Sequence, residues 1–154
     1  SRWDEAVTAL NRYLDMPEAT WANERAYAMR LLGKSYDELG KPWDALKWYR
    51  LAVAEAPDTR EPWVELSLAC YRKSMWAESY SSAKSALQIT DKALVYTMDP
   101  SVWTEKPYDL GSIALWHLGR KDEAVKFCQK ALEFNPTDER LMSNLVKMTE
   151  AEDG

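Results

Sequence analysis

The chain has 154 residues, of which 46% are hydrophobic, and this size and composition predict one folded domain rather than a disordered segment. Its net charge of -5 and pI of about 5.0 oppose binding to nucleic-acid phosphates and to anionic membrane surfaces. No run of 18 apolar residues is present, so the sequence predicts no membrane-spanning helix.

The two cysteines, Cys70 and Cys128, are too few for a disulfide framework and lie in segments with helical patterning. We predict that both are buried free thiols, which suit a reducing compartment. A cytoplasmic location follows from that prediction.

The sequence pattern of one helical hairpin occurs twice, at residues 31–57 and 109–136. Each copy has an early small residue, a glycine in the turn, two alanines seven residues apart and a terminal proline. A third copy at 63–87 keeps Ser67 and Ala86 but has Ser79 in place of the first alanine, and residues 3–14 supply only a second helix. The shared positions are Gly33, Gly40, Ala45, Ala52 and Pro57 in one copy and Ser112, Gly119, Ala124, Ala131 and Pro136 in the other.

Repeated hairpins of this kind predict an all-α stack. Two antiparallel helices cannot bury their own apolar faces, so each hairpin must pack on the next. Gly40 and Gly119 are placed to end first helices, and no window shows the period of a β-strand. In chain order we predict a half repeat (1–15), two repeats (21–57 and 60–90), an insertion (91–105), a repeat (106–136) and a capping helix (138–150).

The hairpin resembles the tetratricopeptide repeat, a unit of about 34 residues with the pattern W-x2-L-G-x2-Y in its first helix. The hairpin of residues 21–57 departs from the pattern at Met29 and carries Leu32, Gly33, Tyr36, Ala45, Tyr49, Ala52 and Pro57. The resemblance implies a right-handed α-solenoid. It implies no particular ligand, because this repeat serves many unrelated systems.

A closer resemblance is to the helical region that follows the catalytic domain in some bacterial, phage and viral glycosyltransferases of the GT-A type. It rests on the phrases WANERAYAMRLLGKSYDELG, APDTREPWVELSLACYRKSMW and PYDLGSIALWHLGRKDEAVKFCQKALEFNPTDERLMSNL. Those enzymes hold a metal and a nucleotide sugar with an Asp-x-Asp motif, and this chain has none. The resemblance therefore implies an accessory region without transfer chemistry of its own.

The insertion lengthens the repeat, because Gly33 and Ser67 are 34 positions apart whereas Ser67 and Ser112 are 45 apart. We expect DKALVY to prolong the preceding helix, Pro100 to end it, and SVW to form a short turn before KPYD begins the next helix. Tyr96 and Trp103 are predicted to pack against the neighbouring hairpin, with contact to a ligand at the groove edge as the alternative.

The sequence contains no strong motif for phosphate binding, metal binding or catalysis. The GKS of residues 33–35 lies within a predicted helix and not in a phosphate loop. His117 is the only histidine, which excludes a His-rich metal site and leaves no evident catalytic partner. Pairs such as Asp122 and Glu123 occur at helix starts, where negative charge is favourable. We predict no catalytic residue, cofactor or metal.

The resemblance places ligands on the concave face formed by first helices, and Trp116 is the leading candidate for a ligand-facing aromatic. A mixture of charged and aromatic residues there suits an extended peptide, or sugar rings stacked on aromatic faces. The candidate residues are Tyr27, Arg30, Lys34, Asp37, Glu61, Val64, Leu68, Tyr71, Arg72, Lys106, Asp109, Ile113 and Trp116.

Other residues limit that prediction. Members of the repeat family that clamp a C-terminal carboxylate use lysines, an arginine and asparagines, and here Glu65 and Leu110 depart from that pattern, so no such clamp is expected. Trp43 and Trp48 are five apart on one helix, so one should be exposed. Trp3, Trp63 and Trp76 are predicted packing residues.

The two ends of the chain differ. DERLMSNLVKMTEAEDG is predicted to form a capping helix with Asp138 as N-cap, an acidic outer side, and an inner side of Leu141, Leu145 and Met148. The N-terminal half repeat should leave an apolar face uncovered, which predicts either a further helix upstream or self-association there.

Three hypotheses follow. The first is a non-catalytic scaffold, the C-terminal accessory region of a larger glycosyltransferase, which positions the enzyme, recognises a partner or a glycan acceptor, or contributes to oligomerisation. The second is a freestanding peptide-binding adaptor. The third and weakest is that the chain is itself an enzyme, since no nucleophile–base or metal constellation is evident.

Overall fold

The computed structural model describes residues 1–92 and 99–153, and the regular elements within these ranges are all helical. This confirms the predicted all-α class. The helices are α1 (Arg2–Leu14), α2 (Ala22–Glu38), α3 (Pro42–Glu55), α4 (Arg60–Arg72), α5 (Trp76–Gln88), a 3-10 helix (Pro100–Trp103), α6 (Lys106–His117), α7 (Lys121–Phe134) and α8 (Glu139–Asp153). None of these helices is long and apolar enough to cross a membrane.

Three antiparallel hairpins, α2/α3, α4/α5 and α6/α7, stack in sequence, with α1 packed on α2 and α8 on α7. Gly40 and Gly119 have φ values of +72° and +78° in the turns that follow α2 and α6. These left-handed conformations suit glycine because it has no Cβ. Ser74 occupies the equivalent turn after α4 with φ of 57°, so the central hairpin makes the same turn without a glycine.

Small residues let the two helices of each hairpin approach closely. A Cβ at Gly33 would lie 2.6 Å from the Tyr49 ring, and one at Gly111 would lie 2.8 Å from the Phe127 ring. In the central hairpin, two buried serines replace this packing. The Ser67 hydroxyl donates to the Ser79 carbonyl oxygen at 2.7 Å and the Ser79 hydroxyl donates to the Ser67 carbonyl oxygen at 2.9 Å.

First helices form the inner layer of the stack. The backbones of α2 and α4, and of α4 and α6, approach each other closely, whereas α3 and α5 are joined by the long side chains of Arg50 and Glu78, and α5 and α7 by the rings of Tyr80 and Phe127. Because the layer in which neighbouring helices are closer lies on the inside of the curve, α2, α4 and α6 form the concave face.

Arg60 fixes the end of the insertion to α4. Its buried guanidinium donates to the Ile89 carbonyl oxygen at 2.7 Å and to the Val102 carbonyl oxygen at 3.0 Å, and lies 4.3 Å from the centroid of Trp103. Val102 packs in one core cluster with Val64. The 3-10 helix over Pro100–Trp103 and the start of α6 at Lys106 confirm the predicted turn and helix start.

The expectation that DKALVY prolongs the preceding helix is wrong for its first two residues. Helix α5 ends at Gln88, and Asp91 and Lys92 are not helical. The β-branched pair Ile89 and Thr90 disfavours helix, and Arg60 takes the Ile89 carbonyl. Residues 93–96, and with them the prediction for Tyr96, lie outside the described ranges.

The two end helices differ in how much of their surface is covered. Helix α1 contributes no fully buried residue. Helix α8 buries Leu141 and Met148, and the Asp138 carboxylate accepts from the Leu141 amide at 3.0 Å, as predicted for an N-cap. Its outer side is not only acidic, because Met142 and Val146 are exposed there.

Candidate functional site

Two adjoining cavities lie on the concave face, separated at Tyr71 and Arg72 of α4. The first, called here the N-terminal chamber, measures about 300 Å³. Seven predicted site residues line it, so α2, α4 and the start of α6 bring most of the N-terminal half of the predicted set together. Its lining is Tyr27, Arg30, Leu31, Lys34, Asp37, Glu38, Tyr49, Glu65, Leu68, Ala69, Arg72 and Lys106.

The second cavity, called here the C-terminal chamber, measures about 280 Å³ and joins α4, α6 and α8. Three predicted site residues, Tyr71, Ile113 and Trp116, line it. The remaining lining residues are His117, Arg140, Asn144, Lys147 and Met148.

In the N-terminal chamber, a bidentate ion pair spans α2 and α4. Arg30 donates through Nε and Nη2 to the two carboxylate oxygens of Glu65 at 2.8 and 2.7 Å, and its guanidinium lies 5.6 Å from the Tyr27 ring. Burial alone would lower the pKa of Arg30, but the hydrogen bonds to Glu65 and the charges of Glu65 and Glu61 raise it above its ordinary value. Arg30 therefore stays charged and is committed to Glu65.

Two further pairs fix charges around the same chamber. The Tyr49 hydroxyl donates to Asp37 at 3.0 Å, and burial, together with the charge of Asp37, raises the pKa of Tyr49. Lys106 pairs with Asp99 at 3.1 Å. Lys34 and Arg72 are exposed and make no ion pair within residues 1–92 and 99–153, so they are the cations available to a ligand.

The C-terminal chamber is richer in aromatic rings. Trp116 is half-buried, and the Lys121 ammonium lies 5.3 Å from its centroid. His117 stacks on Trp76 with centroids 3.9 Å apart and an angle of 3° between the planes, and Tyr71 meets Trp76 edge-on at 5.8 Å. Trp76 thus holds the rings of Tyr71 and His117 in place, whereas Trp116 is contacted by the Lys121 ammonium.

The charges of the C-terminal chamber are all basic. Arg140 reaches across from α8 to pair with Asp109 of α6. Lys147 is exposed and has no ion-pair partner among the side chains of residues 1–92 and 99–150. The lining contains no aspartate or glutamate.

Three predicted site residues do not line either chamber. Val64 is only 1% exposed and packs in the core with Val102, because the 3-10 helix of the insertion covers it. Glu61 is 7% exposed, and its Oε1 has no hydrogen-bond partner within the described ranges. Asp109 is held by Arg140 at the border.

The contribution of α8 to the site was not predicted, since its sequence indicated a cap alone. Arg140, Asn144, Lys147 and Met148 all face the C-terminal chamber. Their spacing of four, three and one residues places them on one helical face, and this periodicity was the available indication.

Metal-ligating groups and free thiols were the remaining candidates for reactive chemistry. The described residues contain no group of three or more side chains able to hold a metal ion. Cys70 and Cys128 are buried free thiols, as predicted, and burial raises the pKa of Cys70 to about 12, which leaves it protonated and unreactive near neutral pH. The arrangement suits binding through charge and aromatic contact.

Comparison with known proteins agrees with the fold. Models of the tetratricopeptide repeat family match residues 1–59 and 108–138, which together cover more than half of the chain. No curated protein sequence matches the chain.

Several solved tetratricopeptide domains have similar structures. The first such domain of Spaghetti (RPAP3), bound to the HSP90 peptide SRMEEVD, is 20% identical, covering 86% of this chain and 96% of that chain with a TM-score of 0.73. The Arabidopsis OM64 domain is 15% identical, covering 84% and 98% with a TM-score of 0.71. MamA from Desulfovibrio magneticus RS-1 is 12% identical, covering 98% and 76% with a TM-score of 0.77.

Identities this low establish the fold and nothing about the ligand. The repeated hairpins, the glycine turns and the two family-model matches lead to one conclusion. The chain is a tetratricopeptide-repeat α-solenoid.

Proposed function

We propose that the chain is a non-catalytic protein-interaction domain whose concave groove binds an extended segment of a partner protein. The observation that carries the proposal is the pair of chambers along α2, α4, α6 and α8, which combines uncommitted cations with partly exposed aromatic rings. Grooves of this composition suit peptide recognition, because aromatic residues and arginine are enriched where binding energy concentrates.

One structural relative supports this use of the fold. The RPAP3 domain was solved with a bound HSP90 peptide. That ligand belongs to that protein, and at 20% identity its chemistry is not transferred to the present groove.

Peptide selection tests the proposal. A random 12-residue library would be selected on the immobilised chain, and enriched peptides would be measured by fluorescence anisotropy. We expect binding to survive Trp43→Ala, since Trp43 is 67% exposed and lies on α3, away from both chambers. We expect Trp116→Ala and Arg72→Glu each to weaken it at least tenfold, roughly 1.4 kcal/mol.

Two results would contradict the proposal. One is the absence of any enriched peptide. The other is enriched peptides that bind Trp116→Ala and Arg72→Glu as tightly as the wild type, which would place binding outside the groove.

The accessory role in a larger glycosyltransferase is a finer proposal that rests on the sequence phrases given above. None of the relatives named here is a glycosyltransferase. An upstream reading frame that encodes a nucleotide-sugar domain with Asp-x-Asp would support it, whereas a start codon within a few residues of Ser1 would leave the freestanding adaptor. In the accessory role, a glycan acceptor would stack on Trp116, and a glycan titration of the same variants would detect it.

Self-association through α1 is a separate proposal. The part-exposure of Trp3, Val7 and Leu10 supports it, since a second copy would cover them further. The expected apolar face is only partly uncovered, because none of the exposed large hydrophobic side chains lies on α1. Light scattering over a range of concentrations tests it, and a monomer at every concentration would remove it.

A further inference from the structure

We propose that the groove selects an acidic segment carrying one large apolar or aromatic anchor, which sits against Trp116 while the carboxylates lie over Lys34, Arg72 and Lys147. This inference rests on the proposed peptide-binding function and specifies its ligand class. It follows from the distribution of charge, the committed ion pairs and the shape of the C-terminal chamber.

Charge on the groove is opposite to charge on the whole chain. Six basic residues against three acidic ones give the lining of the two chambers a formal charge of +3, whereas the chain carries -5. A cationic groove on an acidic protein raises the local concentration of anionic segments and disfavours basic ones. The basic lining residues are Arg30, Lys34, Arg72, Lys106, Arg140 and Lys147, and the acidic ones are Asp37, Glu38 and Glu65.

With Asp99 and Asp109 included, which pair with two of the lining cations, the formal charge of this surface is +1, so ion pairing decides which cations a ligand can meet. Glu65 is neutralised by Arg30, and Asp37 accepts the Tyr49 hydroxyl, so Glu38 alone among the acidic lining residues makes no hydrogen bond or ion pair within the described ranges. Asp99 and Asp109, which do not line the chambers, occupy Lys106 and Arg140. Lys34, Arg72 and Lys147 are left to meet ligand carboxylates, and they span both chambers.

The C-terminal chamber fits one large uncharged side chain. Tyr71, Ile113, Trp116 and Met148 supply its apolar surface. Its volume of about 280 Å³ is at the small end of ligand sites, which suits a single side chain. Lys147 and the Lys121 ammonium over Trp116 oppose a basic anchor, and the apolar walls oppose a carboxylate.

The segment does not need a free C-terminus. Of the two arginines that line the N-terminal chamber, Arg30 already gives Nε and Nη2 to Glu65. Glu65 would also repel a second carboxylate placed beside it. The cations that remain, Lys34 and Arg72, can meet side-chain carboxylates from any point along an extended chain.

Four labelled 11-residue peptides test the ligand class at low salt. The parent is rich in Asp and Glu, carries one central Trp and is C-terminally amidated. The others replace Trp by Ser, replace every acid by Lys, or restore the free carboxylate. We expect the Ser peptide to bind at least tenfold more weakly, the Lys peptide to show no binding, and the free carboxylate to change Kd less than threefold.

Charge reversal on the protein provides the matched comparison. Arg72→Glu should weaken the parent peptide at least tenfold, whereas Lys47→Glu on α3, which lines neither chamber, should change it less than threefold. Trp116→Leu keeps an apolar wall in the C-terminal chamber, so it should weaken binding of the parent peptide less than Trp116→Ala does. Circular dichroism of each variant would check that it is folded.

The outcomes separate this inference from the function beneath it. If peptides enriched by selection use the groove but are neutral or basic, or if the Lys peptide binds as well as the parent, the ligand class is wrong and peptide binding stands. If binding strictly requires the free carboxylate, the internal-segment claim is overturned. If no peptide of any class binds, both proposals fail.

Discussion

The first helices have two faces that differ in what fills them. On the face turned toward the second helices, small residues dominate, as at Gly33, Ser67 and Gly111, and partner side chains lie against them. On the concave face of the same helices, large residues such as Arg72 and Trp116 stand partly exposed. Whether a residue contributes to stability or to ligand contact therefore depends on the direction of its side chain and not on the helix that carries it.

We therefore expect substitutions on the face turned toward the second helices to change the free energy of unfolding. Substitutions of exposed charges on the concave face should leave it nearly unchanged while altering binding.

Gly33→Ala should have the largest effect on stability. Its Cβ would lie 2.6 Å from the ring of buried Tyr49, so overpacking should cost about 1–3 kcal/mol despite the better helix propensity of alanine. Urea unfolding measures the loss. In a Tyr49→Ala background the same change should cost far less, and an equal cost in both backgrounds would mean that the ring is not the cause.

Ser79→Ala should cost about 1 kcal/mol, because it removes the buried hydroxyl that donates to the Ser67 carbonyl at 2.9 Å. The exposed Ser81 offers a matched control on the same helix, since Ser81→Ala should change unfolding by less than about 0.5 kcal/mol. Equal effects at the two serines would show that the reciprocal serine pair contributes nothing.

Ser74→Gly should stabilise the protein by roughly 0.5–1 kcal/mol, because a left-handed conformation is strained for serine and free for glycine. The sign should reverse at Ser81, where glycine would stand within helix α5 and cost about as much. Thermal unfolding of the two variants checks both signs, and a loss of stability at position 74 would show that the turn is not strained.

Arg72→Ala should have the smallest effect on unfolding, below about 0.5 kcal/mol, because Arg72 is exposed and makes no ion pair within the described ranges. Arg30→Ala on the same face should cost more, since it leaves half-buried Glu65 without its bidentate partner. Equal urea midpoints for the two variants would break the distinction between committed and uncommitted cations.

The periodicity of the chain was sufficient to predict the hairpins, the turns at Gly40 and Gly119, and an exposed tryptophan at position 43 or 48. It could not predict the turn at Ser74, where tertiary packing imposes a conformation that serine does not favour. Local pattern specifies helices, but strain is tolerated only when the surrounding structure fixes the backbone.

The site was predictable where it depended on one helix and unpredictable where elements far apart in sequence meet. Projection of α4 placed Val64 on the groove, but the insertion brings Val102 over it. For the same reason the contribution of α8 to the site was not predicted, because its Arg140 and Met148 reach the C-terminal chamber only through the stacking of the last hairpin.

An NMR titration that follows the tryptophan indole N–H resonances tests the central claim most directly, with the acidic, tryptophan-anchored and amidated peptide as ligand and assignments from single Trp→Phe variants. The account predicts that the Trp116 resonance shifts and saturates while the exposed Trp43 on α3 stays unchanged. Shifts at Trp43 with a silent Trp116 would contradict the concave groove as the binding surface.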